Sequence, residues 1–122
     1  MTHPPGPPQG GAVELAITFF YYQDLWGAVR FYEDVLGLRM VIDQGWCRIY
    51  GVAGSACVGL VDETRGMHRA SPVKPVQLCL RVPDVDAWHR YLGDRGAAKL
   101  SQPRSNAELG IRAFTCEDPE GY

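Results

Sequence analysis

The sequence lacks the features that would assign it to several common functional classes. It has no apolar run long enough to cross a membrane and no hydrophobic leader, so we expect neither membrane insertion nor export. Only two of its twelve basic residues are Lys, the ten Arg are scattered, and the net charge is −2. No basic surface is therefore expected that would attract nucleic acid or an anionic membrane. The 122 residues predict one cytoplasmic domain, large enough for a core of its own.

Closely spaced cysteine pairs are also missing. The four cysteines lie far apart, each in a strand-like segment, and no Cys-x-x-Cys pair occurs, so neither a zinc knuckle nor a dithiol redox site is indicated: Cys47, Cys57, Cys79 and Cys116. Free cysteine usually packs as a small apolar residue. We therefore predict buried structural thiols, with a reactive thiol in a pocket as the alternative.

The chain does contain one well-defined local pattern between Leu15 and Leu38. Residues 15–22 are rich in β-branched and aromatic side chains on both alternating faces, which predicts a strand covered on both sides. Asp24 can cap a following helix, whose apolar residues recur at helical spacing. Gly37 stands where that helix is expected to end in a left-handed residue.

The same order of features returns 60 residues later. Residues 76–82 form a second apolar strand pattern, Asp84 takes the place of Asp24, and Gly96 follows the second helical stripe. This spacing predicts an internal repeat, although two unrelated strand–helix units that share a cap remain the alternative. The repeat divides the chain into a Pro- and Gly-rich disordered tail (1–11) and one domain (12–122), with module one at 12–62, a connector at 63–75 and module two at 76–122.

The remaining segments complete the first module but not the second. Alternation and turn residues predict strands at 39–42, 46–50 and 56–61, which makes the first half β-α-β-β-β. In the second half, strands are expected at 97–100 and 111–116, with a loop at 101–110. The final turn leads into no further strand before Tyr122.

Two motifs carry a resemblance to a known family. Phe31-Tyr32 followed after three residues by Leu36-Gly37-Leu38, together with the closing run Asp118-Pro119-Glu120-Gly121-Tyr122, resembles the vicinal oxygen chelate superfamily. That group contains glyoxalase I, bleomycin-resistance proteins and extradiol dioxygenases. The resemblance implies an α+β fold of two βαβββ modules, whose curled mixed sheets surround a cavity and whose helices lie outside.

The resemblance also implies where a divalent metal would bind. Metal-using members place a His in the first strand of a module, seven residues before the Asp cap, and a Glu in the last strand. These positions correspond to Ile17, Gln77 and Gly59 here, and the final Glu would lie beyond Tyr122. Ile17 and Gly59 offer no donor, and a lone amide oxygen at Gln77 is a weak ligand. We therefore expect no metal and no cofactor, unless residues beyond Tyr122 or from a second subunit supply ligands.

Strand alternation then selects the side chains that face the cavity. The inward positions form a mostly apolar and aromatic surface with a few polar side chains. Trp46 and Arg48 of the third strand are added, although the sequence does not fix which face they occupy. The candidate ligand-binding residues are Ile17, Phe19, Tyr21, Trp46, Arg48, Cys57, Gly59, Gln77, Cys79 and Arg81. Phe20 and Tyr22 are expected to face the helices. Gly59 is expected to leave open the space of the family's Glu. For each aromatic residue, ordinary core packing is the alternative, and for Arg81 a surface salt bridge.

Such a surface suits a small, partly aromatic organic molecule with one or two hydrogen-bonding groups. The favoured hypothesis is a metal-free binder of the sequestration or resistance type. The alternatives are an enzyme, namely a metal-dependent lyase, isomerase or dioxygenase or a metal-independent enzyme, and a regulatory module whose cavity is filled by side chains. An exposed sheet edge favours a homodimer in any of these cases.

Overall fold

The computed structural model of the chain describes residues 6, 8 and 10–122. Its elements in chain order are β1 (Ala16–Tyr22), α1 (Leu25–Arg30), a π-helical turn (Phe31–Val35), β2 (Arg39–Asp43), β3 (Cys47–Ala53), β4 (Ala56–Asp62), α2 (Val85–Asp94), β5 (Arg104–Asn106) and β6 (Ile111–Ala113). Most of the predicted tail at 1–11 lies outside the described residues.

The first helix begins where the sequence predicts and then widens. The Asp24 carboxylate accepts a hydrogen bond from the Gly27 N–H at 3.1 Å, which confirms the cap. After Arg30 the backbone changes to i→i+5 hydrogen bonding, with the Leu36 N–H donating to the Phe31 carbonyl at 2.9 Å. The wider turn buries the consecutive side chains Phe31 and Tyr32. Gly37 then ends the helix at φ +74°, as predicted.

The first half forms one four-stranded mixed sheet in the order β1-β4-β3-β2. β1 and β4 run parallel, whereas the β4–β3 and β3–β2 pairs are antiparallel. Parallel strands need a long crossover connection, and α1, β2 and β3 lie in the chain between β1 and β4. The βαβββ order predicted for module one is thus confirmed.

The main core lies between this sheet and α1. The residues that fill it are apolar or aromatic and almost fully buried, and they include Phe20, Tyr22, Tyr50, Val58 and Leu60. Phe20 and Tyr22 therefore face the helices, as alternation predicts. The opposite face of β1 is not fully covered, since Phe19 is 44% exposed, so the expectation that both faces are covered is wrong.

The second half repeats the helix but not the sheet. The Asp84 carboxylate caps α2 through the Ala87 N–H at 3.0 Å, and Gly96 has φ +73° after it. Residues 76–82, however, pair with no strand in the part of the chain that the structure describes. In the first half, β1 forms its hydrogen bonds with β4. In the second half, no described strand lies beside residues 76–82 as β4 lies beside β1. The second complete βαβββ module is therefore not confirmed.

Other second-half predictions also need correction. Residues 97–100 form no strand and contribute only an isolated bridge between Ala98 and Glu117. The predicted loop at 101–110 contains β5, which pairs with β6 in a two-stranded hairpin. β6 covers only the first part of the predicted strand at 111–116. Short strands with exposed side chains on both faces give little apolar periodicity, which explains the misplacement.

The burial of the cysteines agrees in part with the prediction. Cys47 and Cys57 are buried and Cys116 is half-buried, and burial raises the pKa of the Cys47 and Cys116 thiols. Cys79 is exposed, so its predicted burial is wrong.

Among the described residues, no helix has the length and apolar character needed to cross a bilayer.

Candidate functional site

The strand register places a set of mostly apolar side chains on the side of the sheet away from α1. Ile17 lies opposite Cys57, Phe19 opposite Gly59, and Tyr21 opposite Val61 across the parallel β1–β4 pair. Paired residues point to the same side of a sheet, so these side chains share one face. β3 adds Cys47 and Ile49, which pack with them in a separate apolar cluster. We call this surface the concave face, because it is the side on which the family resemblance implies a cavity.

The centre of the concave face is aromatic. A Cβ atom added to Gly59 would lie 2.5 Å from Cδ1 and 2.7 Å from Cε1 of Phe19, so the Phe19 ring lies directly over the glycine. The expectation that Gly59 leaves open space is therefore wrong, because the ring occupies it. Glycine is required here for this close approach. The ring is 44% exposed and forms the floor of the face.

The connector between the halves folds back over one end of this face. A Cβ atom at Gly66 would lie 2.5 Å from Val61 Cγ1 and 2.9 Å from Tyr21 Cε1. The His68 ring meets the Tyr21 ring edge to face, with 5.2 Å between centroids. The sequence gives no periodic signal for this contact, because the connector is polar and has no regular structure.

The two residues taken from the start of the third strand point in different directions. Trp46 precedes β3 and packs against the concave-face cluster. Arg48 lies opposite Leu60, on the face toward α1, so it is not part of the concave face. Its guanidinium lies 4.4 Å from the centroid of the Trp26 ring, and its Nε lies 3.4 Å from Asp43 Oδ1. Arg48 is therefore removed from the candidate ligand-binding set.

The second-half candidates alternate as predicted but belong to no described sheet. Gln77, Cys79 and Arg81 are exposed, whereas Leu78 and Leu80 between them are partly buried. Leu78 packs against the main core. No strand pairing of the described residues joins Gln77, Cys79 or Arg81 to the concave face, so their predicted place in the same cavity wall is not established.

Residues 118–122, which the sequence marks only as part of the family resemblance, make many contacts with the first half. The carboxylate of Asp118, which is 5% exposed, accepts hydrogen bonds from the Tyr22 hydroxyl at 2.5 Å and the Tyr32 hydroxyl at 3.0 Å. Its other oxygen accepts from the backbone N–H groups of Glu120 and Tyr122. We call residues 118–122 the C-terminal clasp.

The clasp continues along the end of β1. The Glu120 carboxylate accepts from the N–H groups of Gln23 and Asp24, at 2.9 and 2.8 Å. The Tyr122 ring stacks on Phe20 with 4.3 Å between centroids. The Tyr122 hydroxyl lies 3.1 Å from the Tyr21 nitrogen and 3.2 Å from the Tyr21 carbonyl oxygen. The clasp thus holds the backbone of a residue on the concave face.

Burial governs the tyrosine chemistry around the clasp. It is the main cause that raises the pKa of Tyr22 and of Tyr32 far above the ordinary value, and the Asp118 carboxylate adds to the rise in both. Burial, with a hydrogen bond to Glu33, also raises the pKa of Tyr50. These hydroxyls stay protonated at neutral pH and act as hydrogen-bond donors.

The residues at the family's metal positions do not fit a metal ion. Ile17 offers no donor atom, and the space at Gly59 is filled by the Phe19 ring. Gln77, the one position with a donor, is exposed and lies in the unpaired segment. Among the described residues, no three His, Cys, Asp or Glu side chains lie close enough together to share an ion.

Two clefts lie away from the centre of the concave face. One, of about 490 Å³, runs between the first helix and the second half and is lined by residues 96–98 and Pro119 among others. The other, of about 440 Å³, lies at the end of β1 and β4 and is lined by Trp26 and Trp46 among others.

Comparisons with solved structures agree with this architecture. TnmS3, an antibiotic binding protein from Streptomyces sp. CB03234, is 27% identical, with 90% of each chain covered and a TM-score of 0.69. A lactoylglutathione lyase from Agrobacterium tumefaciens is 25% identical, covering 94% of this chain and 90% of its own, with a TM-score of 0.70. A superfamily member from Sphaerobacter thermophilus is 21% identical, covers 90% of this chain and 92% of its own, and has a TM-score of 0.75.

The sequence itself matches a family model. A search of curated proteins by sequence found no match. The model described as Glyoxalase/Bleomycin resistance protein/Dioxygenase superfamily matches residues 14–122, which is nearly the whole domain and includes both motifs. The chain therefore belongs to the Glyoxalase/Bleomycin resistance protein/Dioxygenase superfamily.

Proposed function

We propose that this protein binds a small, partly aromatic organic molecule on the concave face without a metal ion, as a sequestration or resistance protein does. The observation that carries the proposal is the Phe19 ring over Gly59. An exposed aromatic ring takes the place where a metal-using relative would need a carboxylate. Such a ring favours stacking with a flat organic group, since aromatic pairs gain about 0.5–1.5 kcal/mol beyond area burial.

The surroundings of Phe19 suit a ligand of mixed character. Ile17, Ile49 and Cys57 make the face apolar. The Tyr21 hydroxyl makes no hydrogen bond to any described residue, so it is available to a ligand. One polar point on an apolar surface is the usual composition of a small-molecule site.

The comparison with TnmS3 supports the same proposal. Its name describes it as an antibiotic binding protein, and it is 27% identical over 90% of this chain. We extend that type of binding to the concave face of the present chain, with the identity of the ligand left to experiment.

A fluorescence titration tests the proposal, because Trp46 packs against the concave-face cluster and reports on it. The purified protein is titrated with bleomycin and a panel of flat aromatic compounds. The Phe19→Ala variant is expected to bind the best compound about tenfold more weakly, since a buried aromatic contact is lost. Met67→Ala is the matched control, because Met67 is an exposed residue in the connector, at 88%.

Two outcomes would contradict the proposal. One is a panel in which no compound binds. The other is a bound compound whose affinity is the same for the wild type and Phe19→Ala. Circular dichroism of both variants verifies that each remains folded.

We further propose that the protein acts in the cytoplasm as a homodimer. Apolar side chains of β2, an edge strand of the sheet away from Phe19, are exposed: Met40 at 37%, Val41 at 51% and Ile42 at 36%. A second copy would bury such a surface. Size-exclusion chromatography with light scattering tests this, and a monomer at all concentrations would contradict it.

The alternative function is a metal-dependent lyase, isomerase or dioxygenase. The 25% identity to a lactoylglutathione lyase favours it, although Ile17 and Gly59 do not fit a metal. Metal analysis of protein purified without chelators separates the two functions. Stoichiometric nickel, zinc, manganese or iron would support the alternative and overturn metal-free binding.

A further inference from the structure

The second of the two clefts has features that the proposed function does not use. It has a volume of about 440 Å³ and lies where the parallel strands β1 and β4 both end. Its walls come from four separate parts of the chain: the residues after β1, the start of α1, the turn before β3 and the turn after β4. We call it the tryptophan cleft, after Trp26 and Trp46.

Trp26 lines the cleft, and the only described cation or aromatic ring stacked on it is the Arg48 guanidinium. The side chain is 57% exposed, although a tryptophan is costly to leave in water. Arg48 of β3 lies on the sheet side of the ring, 4.4 Å from its centroid, and is only 17% exposed. The outer face remains available for stacking. A cation already on one side of the ring disfavours a second cation on the other, so the outer face favours a neutral flat partner.

Trp46 is the second tryptophan that lines the cleft. It is half-buried and packs against the concave-face cluster, which fixes its position. The Arg65 guanidinium lies 5.8 Å from its ring centroid. Two indole rings held by packing or by a guanidinium therefore line one cleft, a composition typical of sites that bind flat rings.

Polar groups in the cleft offer both an acceptor and donors. Asp62 Oδ1 accepts from the Thr64 N–H at 2.9 Å and from its hydroxyl at 2.8 Å, and these bonds lower the pKa of the carboxyl group. Asp62 Oδ2 makes no hydrogen bond to a described residue. The Arg65 guanidinium and the Gln23 side-chain amide also make no hydrogen bond to a described residue. A ring edge that carries both a donor and an acceptor matches this set.

We propose that the tryptophan cleft binds a flat heteroaromatic ring that carries an amino group, as aminopurines and aminopyrimidines do. The ring stacks on the outer face of Trp26. Its amino N–H donates to Asp62, and an adjacent ring nitrogen accepts from Arg65 or Gln23. This site is distinct from the concave face, so it goes beyond the proposed function and can fail or succeed independently of it.

Adenosine and N6,N6-dimethyladenosine are the matched probes. Both have the same ring, but the dimethyl compound has no amino N–H for Asp62. Calorimetric titration is expected to show weaker binding of the dimethyl compound. Trp26→Leu is expected to weaken adenosine binding about tenfold or more, as loss of a base-stacking aromatic does. Arg65→Met is a second variant that keeps a long unbranched side chain beside Trp46 but removes every N–H donor, and it should weaken binding about fivefold.

Matched controls separate this cleft from the rest of the molecule. Trp88→Phe changes a tryptophan of α2 outside the cleft, and Phe19→Ala changes the concave face. Trp88→Phe should leave adenosine affinity unchanged, and Phe19→Ala shows whether adenosine binds on the concave face instead. The proposal is overturned if adenosine does not bind, if the two nucleosides bind equally well, or if Phe19→Ala abolishes binding while Trp26→Leu does not.

Discussion

The two halves of the chain share the same local sequence features but form different structures. Each has an apolar strand-like segment, an Asp that caps a helix and a Gly with positive φ after the helix. In the first half, β1 pairs with β4 along its whole length. In the second half, residues 76–82 pair with no described strand. Caps and glycine stops act within a few residues, whereas a strand requires a partner that is distant in sequence.

The clasp attaches the second half to the first by hydrogen bonds and ring stacking, which partly replace the strand pairing that residues 76–82 lack. Asp118, Glu120 and Tyr122 bind side chains and backbone groups of β1 and of the first helical segment. The end of the described chain is thus held by the first half. The stability of the second half is expected to depend on these contacts and on the packing of α2.

Hydrogen exchange gives the largest expected difference between the halves. Amides of β4, which is bonded on both sides, should exchange at least about a hundredfold more slowly than those of residues 76–82. Exchange measured by NMR or mass spectrometry in the wild-type protein tests this. Slow exchange at 76–82 would break the comparison, since it would show that another strand, for example from a second copy, pairs there in solution.

Removal of the central carboxylate of the clasp is the next largest expected effect. Asp118→Ala removes the acceptor of two backbone N–H groups and of the buried Tyr22 and Tyr32 hydroxyls, which keep only their mutual hydrogen bond at 3.2 Å. It should lower the free energy of unfolding by about 3 kcal/mol. Urea unfolding followed by circular dichroism measures the loss.

The neighbouring carboxylate is the matched control for this substitution. Glu117 forms an exposed ion pair with Lys99 at 3.4 Å, and Glu117→Ala should cost less than about 1 kcal/mol. Equal losses for the two variants would contradict the role assigned to the clasp.

Alkaline pH tests the same cluster through its tyrosines. The pKa values of Tyr22 and Tyr32 are raised in the folded protein, whereas in the unfolded chain both ionise near 10.0. Their contribution is therefore intact below pH 10.0 and is lost as the pH rises above it. Each such tyrosine should lower the free energy of unfolding by about 1.4 kcal/mol per pH unit.

The variant Tyr22→Phe isolates one of these protons. Above pH 10.0, its stability should fall less steeply with pH than that of the wild type, by the slope of one tyrosine. Urea midpoints measured on both sides of pH 10.0 give the two slopes. Parallel slopes would show that the Tyr22 hydroxyl does not stay protonated in the folded state.

The sequence predicts most of the first half and little of how the second is held. Asp24, Gly37 and the faces of Phe19 and Phe20 follow from capping and alternation, which depend on neighbouring residues alone. Arg48 could not be placed, because its strand is apolar on one face and mixed on the other. The Phe19 ring over Gly59 could not be foreseen either, since it depends on the cross-strand register.

The clasp shows the limit of motif reading more clearly. The run Asp118 to Tyr122 identifies the family, but its sequence says nothing about which side chains it contacts. Its hydrogen-bond partners in the first half lie 86–101 residues earlier in the chain. Contacts at that separation depend on where the sheet and the first helix place their residues, so no local pattern records them.

The smallest expected effect concerns the hydroxyl of Tyr122. Tyr122→Phe keeps the ring stacked on Phe20 but removes the oxygen that contacts both backbone groups of Tyr21, and should cost about 1 kcal/mol. Tyr122→Leu removes the stacking as well and should cost more. Urea unfolding of both variants, with amide exchange at Tyr21 as a local readout, separates the two contributions. If Tyr122→Phe changed neither, the clasp would hold the second half through Asp118, Glu120 and ring stacking alone. The Tyr122 hydroxyl would then have no part in positioning the concave face.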